Sequence, residues 1–241
     1  MQIRGDSLEK NNNRTDRKNK GSNLGLFLFG IGVLLILSAA GFAGYNFYCM
    51  KDAEKVCTEV VAQFEEFLAH SGAEEISLPD EENDAEQAAS LGAVVASVSD
   101  AYHGESISAV RVSDGIVIDG VQYIGMLSVP SLGLKLPVRA DLSYPALRKS
   151  PCRYSGSVEE GRFVIAAHNY LSHFGHLGSL AIGESVLFTD AWGNVTEYVV
   201  VQSEVLDPDE VERMINSDFD LTLFTCTFGG SHRTTVRCDK A

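Results

Sequence analysis

The segment LTLFTCTFGGSHRTTVR, residues 221–237, decides how this chain reads. It starts as an apolar, β-prone run (Leu221 to Thr225) that brings one cysteine, Cys226, to a strand end. A Gly229-Gly230 turn follows, and a second strand-like stretch then carries Arg233 and Arg237. A thiol at a strand terminus beside guanidinium groups on the next strand has the makings of an activated nucleophile, because a nearby cation favours the thiolate. The bland alternative is a small buried hydrophobe, the commonest fate of a single cysteine. Position favours use: a strand end against a glycine turn is accessible.

Working upstream, RFVIAAHNY (162–170) has a buried-strand pattern that emerges into polar sequence at His168. An imidazole at a strand exit suits general acid–base work, since its pKa lies near neutrality. His173 and His176 follow at H-x4-H-x2-H spacing. With Cys226 they invite a zinc site, but that spacing fits none of the common ligand patterns, so no metal is expected. Arg233 and Arg237, four apart on a strand, face the same side. A guanidinium there can hold a carbonyl or stabilise an oxyanion.

Short apolar runs separated by turn residues continue through the C-terminal half. Strands are expected at 115–118, 122–129, 134–138, 162–167, 185–189, 195–205, 222–225 and 234–238. Asp119-Gly120 and Gly193-Asn194 read as hairpin turns. One short helix is expected within 208–217. Many evenly spaced strands and few helices define an all-β barrel or sandwich, starting near residue 107.

The N-terminal half is organised differently. Residues 1–23 hold six Lys/Arg against three acids, a net of +3, whereas the whole chain stands at −14. Between these regimes lies LGLFLFGIGVLLILSAAGFAGYNFY (24–48), without a charged residue. About 20 apolar residues cross a bilayer core, so this run reads as a transmembrane helix. It is longer than the apolar core of a cleaved signal peptide. The basic flank is expected to remain cytoplasmic, leaving the rest outside. Residues 52–70 follow as an amphipathic helix with Val56, Val60, Phe64 and Phe67 at helical spacing. An acidic, solvated linker is expected to run to about 106. The acidic balance argues against nucleic acid as a partner. Five cysteines, an odd number, do not describe a disulfide scaffold. Cys152 and Cys238 are left as buried thiols or a pair, and Cys49, at the membrane edge, reads as incidental rather than lipidated.

These residues carry a resemblance. TLFTC followed by an arginine, with a histidine ending an earlier apolar strand, resembles the sortase family. YIGMLSVPSLGLKLPV (123–138) is similar to that family's early strand pair, I-P-x-L-x-x-x-L-P-V. The likeness covers about 120–241. It implies a closed barrel of about eight strands with short helices, behind a membrane helix and a helical, acidic stalk. It also implies a cysteine transpeptidase that cleaves an LPxTG-like sorting signal on surface proteins. The acyl product would pass to an amine of a cell-wall precursor or pilin, with no cofactor. Carried over by motif, Cys226 is the nucleophile, His168 the family histidine and Arg233, first in H-R-x-x-V-R, the catalytic arginine. The Cys-to-Arg interval is shorter than in most sortases, which keeps Arg237 open. Thr225, Asn169 and Arg237 are expected beside the substrate. A Cys/His cell-wall hydrolase and a non-catalytic envelope-binding β-domain are the alternatives.

Overall fold

The computed structural model describes residues 17–71 and 109–241. The acidic linker expected over 73–106 lies outside the described residues. Two compact units divide the chain at Tyr48/Cys49.

Helix α1 spans Arg17–Ser71 without a break, so the apolar segment and the amphipathic segment form one helix. Its Leu24–His70 portion contains a window of mean hydropathy 2.4, long and apolar enough to cross a membrane. The part beyond Cys49 belongs to the second unit. There Ala53, Cys57, Val60 and Phe64 are buried. Val60 and Phe64 pack with Ile116, Ile118, Tyr123 and Met126. The buried stripe is displaced from the one the sequence suggests: Ala53 and Cys57 replace Val56 and Phe67, which are only half-buried. Full burial of a Val or Phe is worth about 1.5–3 kcal/mol, so this seam is a substantial packing surface.

Among its described residues the second unit is built on ten strands in chain order. They are β1 (Ala109–Val112), β2 (Gly115–Ile118), β3 (Val121–Val129), β4 (Leu134–Arg139), β5 (Cys152–Ser157), β6 (Gly161–Ala166), β7 (Ser185–Asp190), β8 (Val195–Leu206), β9 (Leu221–Cys226) and β10 (Arg233–Lys240). Two short helices interrupt them, α2 (Tyr144–Leu147) and α3 (Val211–Ile215). Neighbouring strands run in the order β1-β2-β3-β4-β5-β6-β9-β10-β8-β7, and β7 returns to pair with β3. Eight strands, β3 through β7 in that order, therefore close a barrel, with the β1–β2 hairpin attached at β3. Closure removes the sheet edges that would otherwise template aggregation. The Asp119-Gly120 turn, with φ of 50° and 75°, has the left-handed geometry that the sequence anticipated for a two-residue hairpin.

β9 is the strand that ends in Cys226. It pairs in parallel with β6 and antiparallel with β10. Leu221 and Leu223 face the barrel interior with Phe163, Ile165, Val236 and Cys238. On the other face Phe224 packs with Val164, Ala166, Leu206 and Met214, the last from α3. Because α3 covers the outside, β6 and β9 are buried on both faces. That is why their sequences run almost continuously apolar instead of alternating.

Two strands escaped the sequence reading for visible reasons. β1 is a short, mostly half-exposed edge. β5, CRYSGS, is polar, carries Gly156 at φ 66° and has register shifts on both sides of Ser155. Helix α2, capped by Ser143 accepting from the Ala146 N–H, is one turn long and below the resolution of periodicity.

Candidate functional site

The strand register brings three side chains to one end of three neighbouring strands. In the parallel β6–β9 pair Ala166 lies opposite Phe224, so His168 and Cys226 each lie two residues further along, level with one another. The pair is extended past the strand end by the Ala167 N–H donating to the Phe224 carbonyl at 3.1 Å. Across β9 and β10, Arg233 is the direct partner of Cys226. Alternation puts Phe224 and Cys226 on the outer face, along with Ala166 and His168.

These three residues line one cleft of about 510 Å³. Its apolar wall comes from Leu142, Tyr144, Leu147, Tyr154, Phe224 and Met214, and Asp207 and Glu210 stand on its rim. Cys226 is exposed there, the first accessible residue after five buried ones. Three other cysteines differ: Cys57, Cys152 and Cys238 are buried free thiols, each pushed up to about 12 chiefly by burial. Cys152 and Cys238 are not bonded to one another.

His168 is half-buried, and its ring stacks on Tyr170 at 4.0 Å between centroids. Burial holds its pKa below the usual imidazole value; the Asn169 side chain opposes this and the Arg148 charge adds to it. The ring is thereby biased to the neutral form, able to accept a proton and return it. Asn169 also lines the cleft.

Thr225 does not face the cleft. It is buried, and its hydroxyl donates to the Ala167 carbonyl at 2.8 Å, clamping β9 to the backbone just before His168. Its geometry is that of a brace between the two strand ends rather than of a substrate contact.

The arginines are sorted by what covers them. Arg233 lies at the open end, and its Nη1 donates to the carbonyls of Gly230 and His232. Those bonds draw on the tight turn in which Gly229 and Gly230 adopt φ of 86° and 77°, values unfavourable for any residue with a side chain. Arg237 shares the face, as expected for residues four apart, but only 1% of it is exposed. It lies beneath α3, bonded to Glu204, Ser217, Thr222 and the carbonyls of Arg213 and Met214. Covered in this way, the guanidinium is closed off from the cleft. Arg233, not Arg237, is the arginine at the cleft.

His173 and His176 do not join His168 in a ligand set. His173 is buried and His176 is exposed. Among the described residues no group of three or more His, Cys, Asp or Glu could hold a metal ion.

A thiol, an imidazole and a guanidinium on one face of an apolar-walled cleft are the groups that acyl transfer through a thioester requires. Residues 127–241 match the family model of the sortase domain. This segment is therefore similar to the sortase domain, the domain of a family of cysteine transpeptidases. No curated protein matches the chain. Similar solved structures include sortase C1 of GBS pilus island 1, at 21% identity and TM-score 0.49, covering 77% of this chain and 92% of that one. Sortase C of Streptococcus pneumoniae is 24% identical, covers 75% and 89%, and has a TM-score of 0.46. The lid mutant of sortase A from Corynebacterium diphtheriae is 23% identical over 50% and 71%, with a TM-score of 0.45.

Proposed function

We propose that this protein acts as a sortase, using Cys226, His168 and Arg233 to cleave an LPxTG-like sorting signal and transfer the acyl product to an amine. The observation that carries the proposal is the shared level and shared face of these three residues on β6, β9 and β10, lining one cleft. His168 takes the Cys226 thiol proton as the sulfur attacks the threonyl carbonyl carbon, forming a C–S bond while the carbonyl π electrons move to oxygen. Arg233 stabilises that oxyanion. Collapse breaks the C–N bond, His168 delivers a proton to the departing glycine amine, and a thioester remains. An incoming amine, losing its proton to His168, attacks the thioester; collapse expels the Cys226 thiolate and leaves an amide. The apolar wall of Leu142, Tyr144, Leu147 and Met214 suits the leucine and proline of the signal. No step requires a metal or an organic cofactor.

The substrates are surface proteins that end in such a signal, and the acceptor is an amine of a cell-wall precursor or a pilin. Residues 24–48 anchor the protein in the cell membrane as a single pass, with the basic residues 1–23 in the cytoplasm. Residues 49–106 form the extracellular helix and linker, and 107–241 the catalytic domain. The span's length and apolarity and its basic flank support this arrangement.

Mass spectrometry of the full chain, incubated with an LPxTG-type peptide, tests the chemistry. An adduct of the signal's N-terminal fragment on Cys226 is expected, and triglycine should convert it to a peptide amide. Release of free acid alone, with triglycine present, would mark a hydrolase. Full activity in Cys226→Ala would remove the nucleophile assignment.

A further inference from the structure

A cysteine–histidine contact that the acyl-transfer scheme does not use lies in the same unit. His173 is completely buried, and its Nε2 lies 3.5 Å from the Sγ of Cys57 on α1. The Cys57 thiol is itself placed to donate to the Lys149 carbonyl at 3.3 Å. One thiol proton serves one acceptor, so both contacts are satisfied when the sulfur donates to Lys149 and accepts from Nε2–H. That tautomer leaves Nδ1 as a buried acceptor without a partner among the described residues. An unpaired buried nitrogen is costly, and an apolar side chain would fill the same space without that cost.

The histidine stands at the heart of the loop that carries His168. The amides of His173 and Gly175 donate to the Tyr170 carbonyl at 2.9 and 2.8 Å, and that of Phe174 donates to the His168 carbonyl at 3.3 Å. Gly175 is required for this closure, since a Cβ there would meet the Tyr170 carbonyl oxygen at 2.8 Å. Between the two imidazoles stands Tyr170. Its ring stacks on His168 within 14° of parallel and packs at 49°, 5.7 Å away, against His173. On the other side, α1 is tied to the segment after α2 by the Asp52–Lys149 ion pair and by Arg148 donating to Cys49. The helix thus braces two walls of the cleft, the α2 segment and the His168 loop.

We propose that His173, held by Cys57 of α1, is a positioning residue that sets the His168 ring through Tyr170. The inference rests on His168 being the acid–base group of the proposed function. A contact chain of this kind fixes ring orientation to the fraction of an ångström that proton transfer needs. Burial also brings His173 down to about 4, with His168 adding to the effect, so it stays neutral and sets no second charge beside an imidazolium at His168. The groups that face the two rings are Cys57 from α1, Tyr170 and Asn169 from the loop, Tyr144 from α2, whose ring lies 6.4 Å from that of His168, and Arg148 just after α2.

The test uses the full chain in detergent micelles, with His168 followed by NMR and acyl transfer from an LPxTG-type peptide to triglycine followed in parallel. Cys57→Ala and Tyr170→Leu are expected to shift the His168 titration and lower kcat about tenfold while KM stays within about twofold. Cys57→Ser, which keeps a donor and an acceptor, should restore both. Tyr170 is only half-buried, so Tyr170→Leu carries the test even if a Cys57 variant fails to fold. A folded Tyr170→Leu with an unaltered His168 titration and kcat would overturn the inference. Activity retained in His168→Ala would instead overturn the role given to His168, whereas the NMR titration reads the coupling in either case.

Discussion

Two cysteine–histidine pairs occupy this domain, and they contrast in almost every physical respect. Cys226 and His168 stand at the open ends of β9 and β6, the thiol exposed and the ring half-buried in a cleft. Cys57 and His173 face one another at 3.5 Å in the seam between α1 and the barrel, both buried. Desolvation pushes Cys57 up to about 12 and brings His173 down to about 4, so the inner pair is held neutral and inert. Residue type is therefore no guide to role. Water and a neighbouring guanidinium separate a pair that can react from one that can only hold.

The contrast breaks first at the thiols. Cys226→Ala should lower acyl transfer at least about 10³-fold, whereas Cys57→Ser should stay close to wild type. Equal losses in a peptide-transfer assay would erase the distinction. The arginines make the next test. Arg233→Ala should cost about 10²–10³-fold in kcat without moving the melting temperature. Arg237→Met should instead destabilise the fold by about 3 kcal/mol, because Glu204 and the carbonyls beneath α3 lose their donor. A denaturant midpoint unchanged in Arg237→Met would show that the buried network contributes nothing.

Acid sharpens the comparison from the histidine side. The unfolded chain protonates His173 near its ordinary pKa of 6.5, while the folded protein resists until about 4. Protons therefore bind preferentially to the unfolded state across that window, and stability falls as pH drops from 6.5 towards 4. The expected contribution is about 3 kcal/mol, measurable by urea unfolding at stepped pH and diminished in His173→Gln. The smallest effect is one of labelling. Brief iodoacetamide treatment of the native protein should modify Cys226 and spare Cys57, Cys152 and Cys238, as intact mass and peptide mapping would record.

Much of the barrel was legible in the chain itself. β9 and β6 announced themselves because α3 buries their outer faces, which makes LTLFT and FVIAA continuously apolar. The same pattern marked where each run stops, and so located Cys226 and His168. β5 was not legible: its glycine and register shifts dissolve any period of two. The docked face of α1 was only half legible, since Cys57 counts as a hydrophobe just where a thiol is buried, and its partner lies 116 residues away. Thr225 looked like a substrate neighbour from its adjacency to Cys226, yet its hydroxyl turns inward to the Ala167 carbonyl.

Local pattern, then, was enough for the strands, the turns, the apolar segment and the residues at the strand ends. These depend on side-chain period and backbone geometry, which act over a few residues. Tertiary structure alone decided which arginine meets the cleft, which cysteine meets water and which histidine is sealed against α1. Those outcomes depend on what covers a residue, and the cover comes from parts of the chain that sequence spacing does not reveal.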